Sequence, residues 1–553
     1  MNRIKFFFSF LFFLSLCTGI VTRTESRDAF DDLIAFVDDP SVADLIISSN
    51  VQTTRAPSKQ SILVLLNDLE IVPLLQENFY LRTNNLNHRS LLDYPEYFPF
   101  RHDKDKRAIY FDLFYNQTSR MNFTKESSNI CSYLGIFQPS FITKVQTTIN
   151  LVKEVFPDLT FDSDQILRLL DLFQTFTVQE RRLGLMIGGK TTCNKWHFHI
   201  MAPWYYLERN HFVNDAIKED IEQLIIEAFG PSTLTPAQAE KQQNAFIDQH
   251  LIDDKFGIGD TRIYLDYPII KKKYWSSRAG FLATIPTAWA FKKGLKGTNL
   301  KRIINRPILN LIDVFEQALP PISQVSPQVI NFLFAALDDL GAILLDAPLG
   351  NNGHLGIGTY IRNRSPLSAF IKQNWARRYI MRSFISLEYL FPGIEWRSFR
   401  VPANEALFNE RNFSNTTDQA VVNSNFAFVE QQLTDRLFPI ALQTRVSPGI
   451  IFRWSSQLGY EGDRAGFTIG TDTYVQNKEK FSKVYGNAVT KRMIDIFNAR
   501  APLAYQSKVV GSVFGKIYKP DRLYTVALIG DYTFMNKGIG ADFTLALNFD
   551  VTF

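Results

Sequence analysis

Hydrophobic and polar residues alternate one by one over many separate segments of this chain. The clearest case is the segment ADFTLALNFDVTF at residues 541–553, where every second residue is apolar and the residues between are mostly polar or small. Successive side chains of a β-strand point to opposite sides, so this period predicts a strand with one apolar and one polar face. The apolar face consists of Phe543, Leu545, Leu547, Phe549, Val551 and Phe553.

The same alternation predicts about twelve such strands, each of roughly ten residues or more, which is enough to cross a membrane at a tilt. Short and long connections follow one another between them, as in barrels with tight turns on one side and long loops on the other. The chain is therefore predicted to be a transmembrane up-and-down antiparallel β-barrel within residues 106–553. Representative strands are RAIYFDLFYN at 107–116, GIGDTRIYLDY at 257–267, RYIMRSFISLEYLF at 378–391 and GIIFRWSS at 449–456.

The long outer connections carry apolar residues at the three- and four-residue spacing of amphipathic helices. We therefore expect large α-helical insertions in them. Residues 24–105 have mixed character and are interpreted as a periplasmic segment or a plug. The helical insertions are predicted at about 132–178, 207–252, 296–345, 402–440 and 479–500.

The beginning of the chain has the layout of a secretory signal peptide. Arg3 and Lys5 precede an apolar run from Phe6 to Cys17, which is followed by small and polar residues. This run is too short to span a bilayer as a helix, so residues 1–23 are predicted to be a signal peptide and the protein to be exported.

Composition agrees with a surface that meets lipid. Aromatic residues make up 14% of the chain, with 48 Phe and 21 Tyr, and aromatic rings gather at membrane interfaces. The formal charge of +5 is small for 553 residues and forms no basic stripe. Nucleic acid is therefore not expected as a partner.

The export signal and the final strand resemble those of the outer-membrane β-barrel proteins of Gram-negative bacteria. In that family a terminal aromatic residue, here Phe553, and the alternating residues before it are read by the barrel-assembly machinery. The resemblance implies this assembly signal for Leu545, Leu547, Phe549, Val551 and Phe553, and a location in the outer membrane. It implies membrane lipid and the assembly machinery as partners.

A shorter segment, GIGDTRIYL at residues 257–265, is similar to a strand of the hydrocarbon and fatty-acid transporters of that membrane. The helical insertions depart from ordinary porins and put a simple open pore in doubt. A charged interior also argues against a conduit for apolar molecules.

If the apolar strand faces meet lipid, the opposite faces point into the barrel. Charges in that position either set the selectivity of a passage or pair with one another and fill the interior. The predicted pore-lining residues are Asp260, Arg262, Asp266, Arg378, Arg382, Glu388, Arg453, Arg464 and Asp472.

Other chemistry has weaker sequence support. His197 and His199 share a strand face with Cys193 close before them, a set that could bind zinc but lacks a fourth ligand. We therefore expect no metal and no cofactor. His211, His250 and His354 near loop–strand junctions leave a barrel-embedded hydrolase open, but an enzyme is not the favoured interpretation.

The sequence thus favours a porin-like channel or transporter for a small solute. The alternative is a closed structural or surface-interaction barrel, adhesin-like, whose helical outer segments bind a partner. An exported soluble protein is also considered, in which residues 543–553 would be buried against a second sheet.

Overall fold

The computed structural model describes the strand-forming parts of the chain. These are residues 107–120, 177–212, 218–219, 252–272, 275–293, 348–399, 418–437, 440–486, 494–497 and 499–553. The predicted signal peptide at 1–23, the segment 24–105 and most of the predicted insertions 132–178, 207–252 and 296–345 lie outside these residues.

The described residues contain seventeen strands, one long α-helix and two further helical residues at 218–219. The strands of the first half are β1 (Ala108–Arg120), β2 (Thr177–Cys193), β3 (Trp196–Phe212), β4 (Ile252–Ile258), β5 (Thr261–Lys272), β6 (Trp275–Ile285), β7 (Trp289–Lys293) and β8 (Gly356–Pro366). The later elements are β9 (Tyr379–Leu390), β10 (Gly393–Phe399), α1 (Gln419–Leu437), β11 (Ile440–Ser447), β12 (Gly449–Glu461), β13 (Ala465–Gln476), β14 (Lys480–Val484), β15 (Ala504–Lys519), β16 (Arg522–Lys537) and β17 (Ala541–Thr552). Two short 3-10 helices, Leu367–Ala369 and Asn374–Arg378, connect β8 to β9.

Twelve of these strands form one closed antiparallel barrel. The order around the wall is β1, β2, β3, β5, β6, β8, β9, β12, β13, β15, β16 and β17, and β17 pairs again with β1. Closure leaves no wall strand with an unpaired edge, which is the condition for β-structure in lipid. The predicted twelve-stranded up-and-down barrel is thereby confirmed.

The seam between the first and last strands is long and regular. Residues pair in register from Ala108 with Thr552 to Thr118 with Asp542. The amide of Phe553 then adds a hydrogen bond of 2.9 Å to the carbonyl oxygen of Arg107. The two-faced strand at 541–553 is therefore the closing strand of the barrel.

Side-chain burial follows strand parity. On β1, Ile109 and Leu113 point outward and are 46% and 52% exposed, whereas the intervening Tyr110 and Asp112 are 0% and 1% exposed. On β17, Leu545 is 51% exposed. An apolar outside around a polar and aromatic inside is the reverse of a water-soluble barrel and is typical of a transmembrane one.

The barrel height matches a bilayer. Strands β8, β9, β12 and β13 contain 11 to 13 residues. At about 3.3 Å per residue and a tilt of about 40° they rise about 30 Å, the thickness of the hydrocarbon layer. Aromatic rings cluster at the end that carries the short turns. There the ring centroids of Trp196 and Tyr267 are 5.2 Å apart, and those of Tyr379 and Tyr460 are 5.5 Å apart.

At the opposite end of the barrel, five wall strands are interrupted at about the same height. We call this height the break level. There β4 gives way to β5, β6 to β7, β9 to β10, β11 to β12 and β13 to β14. Gly259, Pro286, Pro392 and Pro448 lie in the breaks, and proline cannot donate to a strand ladder. Beyond the break level, β4 and β7 extend one part of the wall, and β10, β11 and β14 form a separate three-stranded sheet.

The structure describes parts of four predicted helical insertions. In 132–178 and 207–252 the described residues lie at the edges and belong mainly to β2, β3 and β4. Within 402–440, residues Gln419–Leu437 form the helix α1. Within 479–500, residues Lys480–Val484 form β14 instead, because β11 offers them a strand edge and Val484 packs with Phe399 in a buried cluster. Among the described residues no helix has both the length and the hydropathy to cross a membrane.

Candidate functional site

Six of the nine predicted pore-lining residues are buried inside the barrel wall, five of them at inward strand positions and Asp260 in the break between β4 and β5. A seventh, Arg382, is half-buried on the inner face of β9. Arg378 and Arg464 are exposed, since Arg378 lies in a 3-10 helix and Arg464 in the turn between β12 and β13. The six buried residues are Asp260, Arg262, Asp266, Glu388, Arg453 and Asp472.

These interior charges are paired with one another. Arg262 contacts Glu388 at 3.1 Å, and the Thr284 hydroxyl donates to the same carboxylate at 2.5 Å. Arg453 donates through Nε to Asp472 at 2.9 Å. A charge removed from water needs such a partner, because an unpaired one costs several kcal/mol.

A second interior network lies on strands β1, β15, β16 and β17. The Lys508 ammonium group bridges Asp531 at 3.1 Å and Asp542 at 2.9 Å. Asn116 donates to the Asp542 carboxylate at 2.8 Å. These residues were not among the predicted pore-lining residues, although the same parity argument applies to them.

Two arginines share one carboxylate near the far ends of β2 and β3. Arg209 donates two hydrogen bonds to Glu180, at 3.0 and 2.6 Å, and Arg182 forms a salt bridge with the same group. At the end with the short turns, Arg364 and Arg382 likewise share Glu461. Cations thus outnumber anions at both of these interior positions.

Between the charged groups runs a row of rings that we call the ring ladder: Tyr110, His199, Tyr264, Tyr360 and Phe384. Consecutive ring centroids are 5.5, 5.5, 5.5 and 5.6 Å apart. Hydroxyl groups of the ladder are bonded, Tyr110 to His199 at 2.5 Å and Tyr360 to Asp266 at 2.8 Å. All five side chains are buried, so the ladder narrows the interior.

Glycine makes room for the ladder at one point. A Cβ atom added to Gly188 of β2 would lie 1.9 Å from Cζ of Tyr110.

Two guanidinium groups cover the far end of the ladder. Cζ of Arg362 lies 5.7 Å from the centroid of the Tyr360 ring, and Cζ of Arg453 lies 5.8 Å from the centroid of the Phe384 ring. Aromatic rings and arginines therefore form one packed surface inside the barrel.

The weak metal candidates are separated by strand geometry. His197 and His199 point inward, but Cys193 is exposed at the last position of β2. His197 bonds the Thr192 hydroxyl at 2.9 Å, and His199 bonds Tyr110. Within the described ranges, three or more metal-ligating residues do not converge anywhere.

Residues 348–355, which lead into β8, lie against the inner side of the wall at the break level, and we call them the strap. Leu349 packs in the interior cluster and its carbonyl accepts from the Tyr205 hydroxyl. The backbone amide of Asn351 donates to the Asp260 carboxylate at 2.5 Å. Asn352 donates to Glu395 of β10 at 2.7 Å. The strap thus joins β3 and the break between β4 and β5 on one side to β10 on the other.

A small, partly open cavity lies beside the strap. Its lining includes Asn351 and His354 from the strap, Glu395 and Arg397 from β10, and Tyr474 from the inner face of β13. The guanidinium group of Arg397 bonds Glu395 at 2.8 Å and Glu479 at 2.9 Å. The cavity is therefore walled by bonded charged groups and has room for about one water molecule.

Of the histidines considered for a hydrolase, His354 lies in the strap, His211 lies at the end of β3, and His250 is outside the described residues. The His354 ring is bonded to a backbone carbonyl and to Glu395. Sequence reasoning placed His354 at a loop–strand junction but missed its carboxylate partner, which is 41 residues away.

No family model matches the sequence, and no curated protein matches it either. Solved structures similar to this chain include an outer-membrane channel from Pseudomonas putida F1, with 8% identity, coverage of 82% of this chain and 99% of that chain, and a TM-score of 0.34. The Pseudomonas putida toluene transporter TodX has 8% identity, coverage of 87% and 96%, and a TM-score of 0.27. The translocator domain of the autotransporter NalP from Neisseria meningitidis has 5% identity, coverage of 82% and 89%, and a TM-score of 0.29. With these values, the twelve-stranded fold rests on the strand pairings of this chain itself.

Proposed function

We propose that this protein is a porin-like channel of a bacterial outer membrane that passes small polar solutes. The single observation that carries the proposal is the contrast between the two faces of the wall. The outside is apolar over the height of a bilayer, whereas the inside holds buried ion pairs and hydrogen-bonded networks.

The interior charges support passage over mere filling. A buried ion pair is often no more stabilising than well-packed apolar residues of similar size. A barrel that only had to be filled would therefore gain little from pairs such as Arg262 with Glu388. Charges that line a passage instead replace part of the hydration of a polar solute.

The solute class follows from the same groups. Arginines and carboxylates both face inward, together with the hydroxyl and amide groups of Tyr110, Asn116 and Gln506. Such a lining suits small hydrophilic or charged molecules and disfavours hydrocarbons. In the structure the ring ladder and the strap narrow the path, so the proposed channel conducts slowly or opens only part of the time.

Assembly is proposed to depend on the closing strand. Leu545, Leu547, Phe549, Val551 and Phe553 are proposed as the signal read by barrel-assembly machinery. Phe553 supports this because its amide extends the seam to Arg107, and the guanidinium group of Arg522 lies 5.3 Å from its ring. The signal peptide at 1–23 and the periplasmic or plug role of 24–105 stay predictions.

A closed surface-interaction barrel is the second candidate. It is favoured by the burial of all five ladder side chains and by the pairing of the interior charges. In that case α1 and the other outer segments would bind a partner, and the interior would admit no solute.

Swelling of proteoliposomes in solutes of graded size tests the proposal. The folded protein is expected to admit small sugars and amino acids faster than protein-free vesicles do, and a boiled sample should not. The double variant Tyr264→Ala with Tyr360→Ala opens the ladder and should speed uptake. Swelling at the protein-free rate, by protein whose folding is verified by heat-modifiable gel migration, would favour the closed barrel.

A further inference from the structure

The His354 ring in the strap faces two groups that only accept hydrogen bonds. Its Nδ1 lies 2.8 Å from the carbonyl oxygen of Phe391, and its Nε2 lies 3.4 Å from Oε1 of Glu395. A neutral imidazole carries one N–H and can donate to only one of them, whereas an imidazolium donates to both. The observed arrangement is therefore satisfied only by the protonated ring.

Charged groups from three other elements surround this ring. Glu395 and Arg397 belong to β10, Glu479 lies between β13 and β14, and Asp260 lies between β4 and β5. Burial alone lowers the pKa of His354, but the hydrogen bond and negative charge of Glu395, together with the hydrogen bond to the Phe391 carbonyl, outweigh burial and the opposing charge of Arg397. The pKa of His354 is therefore raised above its ordinary value.

The carboxylate partner stays ionised over a wide range. Burial alone raises the pKa of Glu395, but the charges of Arg397 and His354 together outweigh it, so its pKa is below the usual value. The ionised Glu395 stabilises the strap at any pH above the ordinary carboxyl pKa. This stabilisation is lost only when the pH falls through the lowered pKa of Glu395 and the carboxylate is protonated. The protonated His354 stabilises the strap at any pH below the ordinary imidazole pKa. This stabilisation is lost as the pH rises through the raised pKa of His354. The ion pair thus exists between these limits and is lost on the alkaline side when His354 loses its proton.

Both ends of the strap are fixed, and the turn between them depends on this pair. At the end that leads into β8, the backbone amide of Phe391 donates to the Leu355 carbonyl at 2.8 Å. Leu349 and Asn351 are held by Tyr205 and Asp260, and neither bond involves a histidine. Between these anchors the chain turns sharply at Asn352 and Gly353, whose φ angles are 51° and 83°, before reaching His354. Loss of the His354–Glu395 contact would leave this turn attached to β10 through the Asn352 side chain, while the two ends of the strap stay fixed.

We propose that His354 and Glu395 form a pH-sensitive latch that closes the strap over the cavity at the break level, and that deprotonation of the ring releases it. The proposal rests on the proposed function, because the released strap is taken to widen the path through the barrel. Proton loss by His354 removes one donor and one positive charge, so the ring can no longer satisfy both the carbonyl and the carboxylate.

Conductance in planar bilayers from about pH 5 to about pH 9 tests the latch. Wild-type conductance is expected to rise as the pH passes through the titration of His354. The ratio of open to closed channels changes by up to about tenfold for each unit by which the pKa of His354 differs between the latched and the released state. The variant His354→Gln cannot titrate and is expected to show no step.

The matched control is His197→Gln. His197 is also a buried interior histidine, but it lies near the other end of the barrel and bonds Thr192. The control is expected to keep the wild-type pH step. A pH step in conductance that survives in His354→Gln would overturn the latch, whatever His197→Gln shows.

Hydrogen exchange of the strap amides separates this proposal from the channel itself. In wild-type protein, protection of residues 348–355 is expected to fall with pH by more than the intrinsic exchange rate explains. If no conductance is seen but this loss of protection occurs, the channel is wrong and the latch stands. Strap protection that does not change with pH would contradict the latch, whatever the conductance.

Discussion

Replacing Leu528 by arginine puts a cation in the middle of the outward face of β16. Leu528 is 53% exposed, and its neighbours across the two ladders are Val513 of β15 and Leu547 of β17. If this face meets lipid, the substitution Leu528→Arg is expected to cost about 2–4 kcal/mol of unfolding free energy. That corresponds to a decrease of roughly 30- to 700-fold in the ratio of folded to unfolded protein.

The matched control is Ile394→Arg on β10. Ile394 is also apolar and 58% exposed, but it lies in the separate sheet beyond the break level. There the substituted side chain is in water or at the interface, so the expected cost is about 0–1 kcal/mol.

Urea titrations of both variants and the wild type in lipid vesicles, followed by tryptophan fluorescence, give the two free energies. A cost for Leu528→Arg no larger than that for Ile394→Arg would show that the outer face of β16 does not meet hydrocarbon. The transmembrane assignment would then be wrong, and an exported soluble sheet protein would be the better account.

Three further predictions concern closure and the interior. Deletion of Phe553 removes the last bond of the seam and is expected to lower the fraction of heat-modifiable barrel recovered from outer membranes. Glu388→Gln removes the charge that pairs with Arg262 and is expected to cost about 3–5 kcal/mol in a urea titration. Gly188→Ala forces the Tyr110 ring to move and is expected to cost about 1–3 kcal/mol, measured as a lower midpoint in the same titration.

Each of these has a matched control. Phe553→Trp keeps both the amide and an aromatic ring and should assemble normally. Glu461→Gln removes a carboxylate whose side chain is 12% exposed and should cost less than Glu388→Gln. Gly515→Ala adds a Cβ with no heavy atom within 4 Å and should be neutral. Equal effects within any pair would contradict the structural reason given for it.

The wall of the barrel could be predicted because its signal is local. A period of two in the sequence directly assigns Tyr110 and Asp112 to one face and Ile109 and Phe111 to the other, and lipid outside the barrel makes the contrast strong. Connection lengths then supplied the up-and-down order. The same parity applied past a strand end failed for Arg464, because a turn does not maintain the alternation.

The contacts inside the barrel could not be predicted in the same way. The ring ladder joins residues of β1, β3, β5, β8 and β9, and which rings meet depends on the stagger between strands. The pairing of His354 with Glu395 depends on the strap turning inward at the break level. The short strand β14 was hidden for a further reason, since five residues form a strand there only because β11 offers an edge.

The most direct test of the central claim is single-channel recording of purified protein in a planar lipid bilayer. The sample would first be shown to migrate differently on a gel before and after boiling, which establishes a folded barrel. We predict discrete current steps that disappear on boiling and grow when Tyr264→Ala and Tyr360→Ala are combined. A folded, membrane-inserted barrel that gives no current, with or without the ladder substitutions, would contradict the account of a channel for small polar solutes.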